Sequence, residues 1–153
     1  MKNMLKVNLI FYISILLSVE VFAQKPKTDF KFIFNESRTI KGYIQIKPST
    51  AYSRELGYGF DFGTTTTFVD RKGKDVLTSG FCTSDKPFYF SVALPEGNYQ
   101  VKITMGDLKD SAFTTVRAES RRLMLEKIVT TPSKFVTRTI IVNIRVPEIA
   151  GTN

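Results

Sequence analysis

The sequence predicts an all-β domain built as a two-layer β-sandwich, and three observations predict it. Phe88, Phe90, Val92 and Leu94 alternate with Tyr89, Ser91 and Ala93. Tyr99, Val101, Ile103 and Met105 then alternate with Gln100, Lys102 and Thr104. This is the two-residue period of half-buried strands. Turn-forming residues recur about every ten positions, the spacing of an all-β chain, and nowhere does an apolar 3.6-residue period persist. The stripe along residues 88–105 is too apolar to face water, so a second sheet must cover it.

In chain order, Lys2 and Lys6 precede an apolar run over residues 7–19, and Val21, Phe22 and Ala23 follow. A basic start, a short apolar middle and a small final residue define a signal peptide over residues 1–23, cleaved after Ala23. The run is shorter than the roughly 20 residues that cross a bilayer, and Glu20 interrupts it. The product is therefore expected to be secreted or periplasmic, with no membrane attachment after cleavage. Residues 24–29 read as a short polar leader, and residues 30–149 as one domain, large enough to bury roughly two thirds of its unfolded surface.

Phe30, Phe32 and Phe34 mark a first strand over residues 30–34, and Ile44 and Ile46 mark a second over residues 42–47, closed by Pro48. Residues 49–63 carry three glycines and four aromatic residues without a clean period, which predicts a shaped loop. Residues 64–69 and 76–77 read as a hairpin around the turn at 70–75. Residues 88–105 read as a second hairpin, turning at Pro95, Glu96, Gly97 and Asn98. Residues 114–118 and 122–128 are strand-like, with Leu123 and Leu125 expected on one face. Ser133 and Lys134 turn the chain, and residues 140–146 alternate as the last clear strand.

Composition excludes much chemistry. The chain has no histidine, hence no Ser-His-Asp triad, imidazole base or histidine metal ligand. Its single cysteine, Cys82, cannot form an internal disulfide and reads as a small buried hydrophobe. Asp70 and Asp75 hint at a calcium loop, but Arg71, Lys72 and Lys74 between them indicate a turn. A pair such as Glu55 and Asp61 would serve glycoside hydrolysis only at a fixed separation. No cofactor or metal is expected. The net charge is +8, yet the bases are dispersed and Lys102, Arg138 and Arg145 fall at outward strand positions. That pattern fits a solvated surface and argues against nucleic acid as a partner.

Gly106 and Asp107 match the start of a Gly-Asp-Ser nucleophile block, but Leu108 stands where the serine belongs. The wider sequence nevertheless resembles a specific family. Residues 30–34, the run from Gly42-Tyr43-Ile44 to Gly63 with Tyr52-Ser53-Arg54-Glu55 and Gly57-Tyr58-Gly59-Phe60, and the run from Phe90-Ser91-Val92 to Gly106-Asp107 carry the likeness. So do residues 114–126, from Thr114 to Glu126, and the closing Val142-Asn143-Ile144-Arg145. Together they are similar to the N-terminal domain of bacterial rhamnogalacturonan acetylesterases, of the SGNH (GDSL-like) hydrolase superfamily. The resemblance implies a galactose-binding-like β-sandwich (jelly roll) ahead of an α/β/α catalytic domain. It departs from that family at Asn35-Glu36-Ser37, where a glycine-bearing start is more usual.

The family's catalytic residues would all lie downstream of Asn153, so none is assigned here. The sandwich is expected to lack its last strand, with residues 150–153 the start of a linker toward an absent catalytic domain. Such a chain would expose the backbone groups of residues 30–34 and self-associate edge to edge. The expected role is a non-catalytic module of an esterase that removes acetyl groups from pectin. Its expected partners are pectic polysaccharide and the downstream catalytic domain of the same gene product. The alternative is a free-standing carbohydrate-binding or adhesive β-sandwich.

Sugar contact is expected at the aromatic loop. Tyr52 and Tyr58 would stack on a pyranose, while Arg54 and Glu55 would bond its hydroxyls; the other reading, which carries more weight, makes Gly57-Tyr58-Gly59-Phe60 a core-lining loop or the contact surface for the absent domain. Arg117, Glu119 and Arg121 are second candidates, because guanidinium groups match uronate carboxylates, although pairing among these charges would instead tie down a strand edge.

Overall fold

The computed structural model describes residues 26–119 and 122–145. The expected signal peptide, Arg121 and residues 146–153 lie outside the described residues. Ten strands and one helical turn follow one another: β1 (Phe32–Phe34), β2 (Ile44–Ile46), β3 (Tyr58–Phe60), β4 (Thr67–Asp70), α1 (Val76–Ser79), β5 (Gly80–Thr83), β6 (Phe90–Val92), β7 (Gly97–Met105), β8 (Ala112–Ala118), β9 (Arg122–Thr130) and β10 (Val136–Ile144). The all-β class read from the alternation holds.

Pairing departs from the sequence reading at four places. The hairpin expected over residues 88–105 does not form. β6 pairs antiparallel with β3, while β7 pairs antiparallel with β10, in register from Gly97 opposite Ile144 to Met105 opposite Val136. Alternation fixes which side of a strand is buried but not its neighbour. The nine-residue β7 finds a nine-residue partner in β10, whereas three-residue β6 is too short to match it.

The loop expected at residues 49–63 contains β3. Tyr52 N donates to Phe60 O (2.9 Å) and Phe60 N to Thr50 O (2.8 Å), so the start of the loop bridges this strand in parallel at Ala51. The hairpin expected at residues 64–77 closes farther along, β4 on β5. Val76 and Leu77 are helical, not extended, because Asp75 caps the turn by accepting from Leu77 N (3.0 Å). On β9 the one-residue mismatch sets Leu125 opposite Val116 but Leu123 opposite Arg117. The bulge flips the phase, so Leu123 is exposed and Leu125 half-buried, not together on one face.

Strand β1 pairs in parallel with β2 along one edge, and among the described residues no ladder covers its other edge, so the expected open backbone is halved rather than removed. Arg138, expected on the outward side, is exposed but lies in register with Ile103, on the side of Ile140; Lys102 and Arg145 are exposed as expected.

The core is aromatic. Phe60 is 4% exposed, and its ring meets Phe34, Phe68, Phe88 and Phe90 at centroid distances of 5.3–6.1 Å. Phe32 meets Tyr58 and Phe90, both at 5.2 Å. Edge-to-face geometry dominates these pairs, which sets the positive ring edge against the negative ring face. Ile33 and Ile46 close the core beside β1 and β2, and Met105 and Ile140 close it on the β7–β10 pair. A broad open cleft has residues of both groups in its lining, among them Phe32, Phe90, Val101, Ile103 and Val142.

Between β7 and β10 the chain makes the β8–β9 hairpin, and its base is a tight crossing. Ser133 N donates to Asp107 O (2.8 Å) and Ser133 Oγ to Leu108 O (2.8 Å). A Cβ on Gly106 would stand 2.7 Å from Lys134 O and 2.8 Å from Phe135 Cδ1, and its φ is +144°. Only glycine fits both the space and the backbone.

Candidate functional site

The aromatic loop splits the expected sugar-contact residues. Ser53 turns the chain by accepting from Leu56 N through its hydroxyl (3.1 Å) and from Gly57 N through its carbonyl (2.8 Å). Tyr52, Arg54 and Glu55 share this exposed turn. Among the described residues, neither the Arg54 nor the Glu55 side chain has a partner, so both remain available to a ligand. Tyr58 goes elsewhere: half-buried, its ring packs on Phe32 (5.2 Å) and Phe30 (6.4 Å). The structure therefore assembles three of the four residues and puts the fourth against the core.

Of the second group, Arg117 is exposed opposite Leu123, and Arg121 lies outside the described residues. Glu119 is at φ +54° beside the hairpin end and accepts from Asn143 N (2.9 Å), tying the β8–β9 hairpin to β10. Its carboxylate holds backbone.

A separate polar network pins the α1 region. Asn35 and Ser79 are buried; Asn35 Oδ1 accepts from Ser37 N (2.9 Å) and Arg38 N (3.1 Å), and Arg38 donates to Gly73 O (2.8 Å) and Ser79 Oγ. Asp70 has its carboxyl lowered by the Lys72 backbone N–H it accepts (2.8 Å), helped by Arg38 at 3.5 Å. Arg71 grips the buried Asp107 through Nε (2.9 Å) and Nη2 (2.6 Å), also bonds Asp110, and lies 5.8 Å from the Phe81 ring centre. The Arg71 hydrogen bond holds the Asp107 carboxyl below the usual carboxylate range, although burial pushes the other way. Gly106-Asp107, which opens like a nucleophile block in the sequence, thus serves a chain crossing and an ion pair.

None of this supplies reactive groups. Ser79 is wholly buried, out of reach of a substrate. Burial pushes the Cys82 thiol up to about 12, so it stays protonated at neutral pH and lacks the thiolate a nucleophile needs. Among the described residues no group of three acidic or cysteine side chains could hold a metal ion; the Asp107 and Asp110 carboxylates enclose a guanidinium instead.

One cluster escaped the sequence reading. Past the end of β3, Asp61 N donates to Tyr89 O (3.1 Å), and Ser91 Oγ donates to Asp61 Oδ1 (2.6 Å). Phe62 follows, fully exposed. The available signal was the alternation itself, which sets Tyr89 and Ser91 opposite in sense to Phe88, Phe90 and Val92; what it could not show was that Asp61 pairs across from them.

Comparison with known proteins adds ancestry to this geometry. Residues 30–132 match the family described as Beta-agarase/YXIM esterase-like, galactose-binding domain-like. The chain is similar to the protein named Uncharacterized esterase YxiM from Bacillus subtilis (strain 168), at 33% identity over 106 residues, which is 65% of this chain and 26% of that protein. The crystal structure of the YxiM protein from Bacillus subtilis superposes with a TM-score of 0.55 at 25% identity, covering 74% of this chain and 32% of that one. The chain thus spans about a quarter of the curated relative it matches.

Proposed function

This chain belongs to the Beta-agarase/YXIM esterase-like, galactose-binding domain-like family, and from that premise we propose that it is the non-catalytic module with which a secreted esterase holds pectic polysaccharide of the rhamnogalacturonan type. One observation carries the reading. The similar protein is named an esterase, and the matched stretch is only 26% of it, while here a hydroxyl that meets a carboxylate, such as Ser91 on Asp61, has no imidazole beside it, since the chain carries no histidine. The chemistry would sit on another part of the polypeptide, where an activated nucleophile attacks an acetyl carbonyl and an oxyanion hole takes the developing charge. This module would hold the substrate alongside, and fold alone does not give it that task; the exposed Tyr52, Arg54 and Glu55 turn does support it. The order of basic, apolar and small residues over 1–23 supports action outside the cytoplasm.

Affinity electrophoresis of the full chain through gels containing soluble rhamnogalacturonan tests the reading. Retarded migration relative to a gel with dextran is expected. Equal migration in both refutes it, as would hydrolysis of 4-nitrophenyl acetate by the chain alone above the rate of a heat-denatured control.

A further inference from the structure

We propose that the outward side of the β3–β6 pair at its Phe60 end, where Asp61, Ser91 and Tyr89 meet and the exposed Phe62 follows in the chain, is a binding platform for neutral, hydroxyl-rich hexose units. The inference rests on the reading of the chain as a carbohydrate-holding module and names the kind of sugar. The cluster has the parts such a ligand needs. Ser91 Oγ fixes Asp61 Oδ1 at 2.6 Å, and Asp61 Oδ2 has no partner among the described residues, so one aimed acceptor is left over. Tyr89 flanks it directly, because its carbonyl accepts from Asp61 N at 3.1 Å.

The rings are placed at a cost to the fold. Phe62 is 107% exposed and Tyr89 49%. An exposed phenylalanine contributes none of the stabilisation that burying it would bring, and Thr64 N bonding to Asp61 O (3.1 Å) holds the turn that presents it. Nearby, a Cβ on Gly59 would overlap the Ala51 and Tyr52 backbone. That close approach brings Tyr52, 39% exposed, alongside the same strand.

A pyranose has an apolar C–H face and a rim of hydroxyls. Flat rings suit the face, and a fixed carboxylate makes charge-assisted hydrogen bonds to the rim. The same carboxylate repels a uronate: no described cation pairs with Asp61, so a second carboxylate would meet like charge. The platform therefore favours the neutral sugars of a mixed polysaccharide over its acidic ones.

Isothermal titration of the full chain with a neutral β-1,4-galactan oligosaccharide and with an oligogalacturonate tests this. Galactan is expected to bind at least ten-fold more tightly than the uronate. Tyr89→Ala and Asp61→Asn should each weaken galactan binding at least ten-fold, and Asp61→Asn should also narrow the preference between the two probes. Phe62→Ala, at a site with no packing to lose, should weaken binding while leaving the unfolding midpoint in place, and keeps the test open if Tyr89→Ala does not fold. Galactan binding untouched by Asp61→Asn and Phe62→Ala, or equal or tighter uronate binding, overturns the platform alone. Absence of heat with both probes overturns the platform, and the carbohydrate-holding role falls with it where migration through the rhamnogalacturonan gel is also unretarded.

Discussion

Replacing Asp107 by asparagine removes one charge from the best-connected buried carboxylate and keeps its shape. Asp107 is 4% exposed and accepts three hydrogen bonds, from Arg71 Nε (2.9 Å), Arg71 Nη2 (2.6 Å) and Lys109 N (2.9 Å). An amide can still accept at one position, but its NH2 group faces a donor at the other. Breaking a fully buried pair costs about 3–5 kcal/mol. Arg71 is partly exposed, with 21% of its side chain open, and retains Asp110 and the Phe81 ring. Solvent screening and these remaining partners reduce the loss to about 2 kcal/mol, or roughly 6–10 °C in the unfolding midpoint of a chain this size.

The pH dependence gives the test its sign. The folded carboxyl is lowered, chiefly by the Arg71 hydrogen bond, so its contribution is complete above the unfolded value of about 3.9. It fades as pH falls through the lower folded value, because the unfolded chain takes up the proton first. Thermal unfolding followed by circular dichroism should show a gap between wild type and Asp107→Asn at pH 7 that closes on acidification below pH 4. A gap under about 0.5 kcal/mol at pH 7, or one that stays constant to pH 3, refutes the assignment of Asp107 as a structural ion pair.

Three further outcomes follow from the packing. Phe60→Ala empties the centre of the ring cluster and should cost about 3–5 kcal/mol in urea unfolding, whereas Phe62→Ala should leave the midpoint unchanged; equal effects would contradict the burial assigned to each ring. Gly106→Ala should destabilise by about 1–3 kcal/mol through its clash with Lys134 and Phe135 and its positive φ, so a neutral result in the same assay would remove the crossing from the account. Cys82, half-buried and with its thiol pushed up to about 12, should react with Ellman's reagent at pH 8 far more slowly in the native protein than after denaturation; equal rates in the two states would show the thiol to be open.

The strand content was legible in the chain because the two-residue period depends only on each strand having one buried side. Residues 99–105, 114–118 and 122–128 were found this way, whereas the strand read over 140–146 recovered only the second half of β10, which begins at Val136. Partner choice was not legible: β7 lies beside β10 rather than β6 because length and register are matched across the intervening β8–β9 hairpin, and no local signal records that match. The same holds at Leu123, where one extra residue on β9 reverses which side faces water. It holds too for the candidate sites. Tyr58 admits both a stacking and a core-lining reading until Phe30 and Phe32 are placed against it, which favours the core-lining one, and Asp61, Ser91 and Tyr89 become neighbours only because two strands thirty positions apart pair. Composition and periodicity therefore determined by themselves that this is a β-domain without histidine chemistry. Which side chains meet was decided by tertiary pairing, since proximity between distant segments is a property of the folded chain and is written in no single stretch of it.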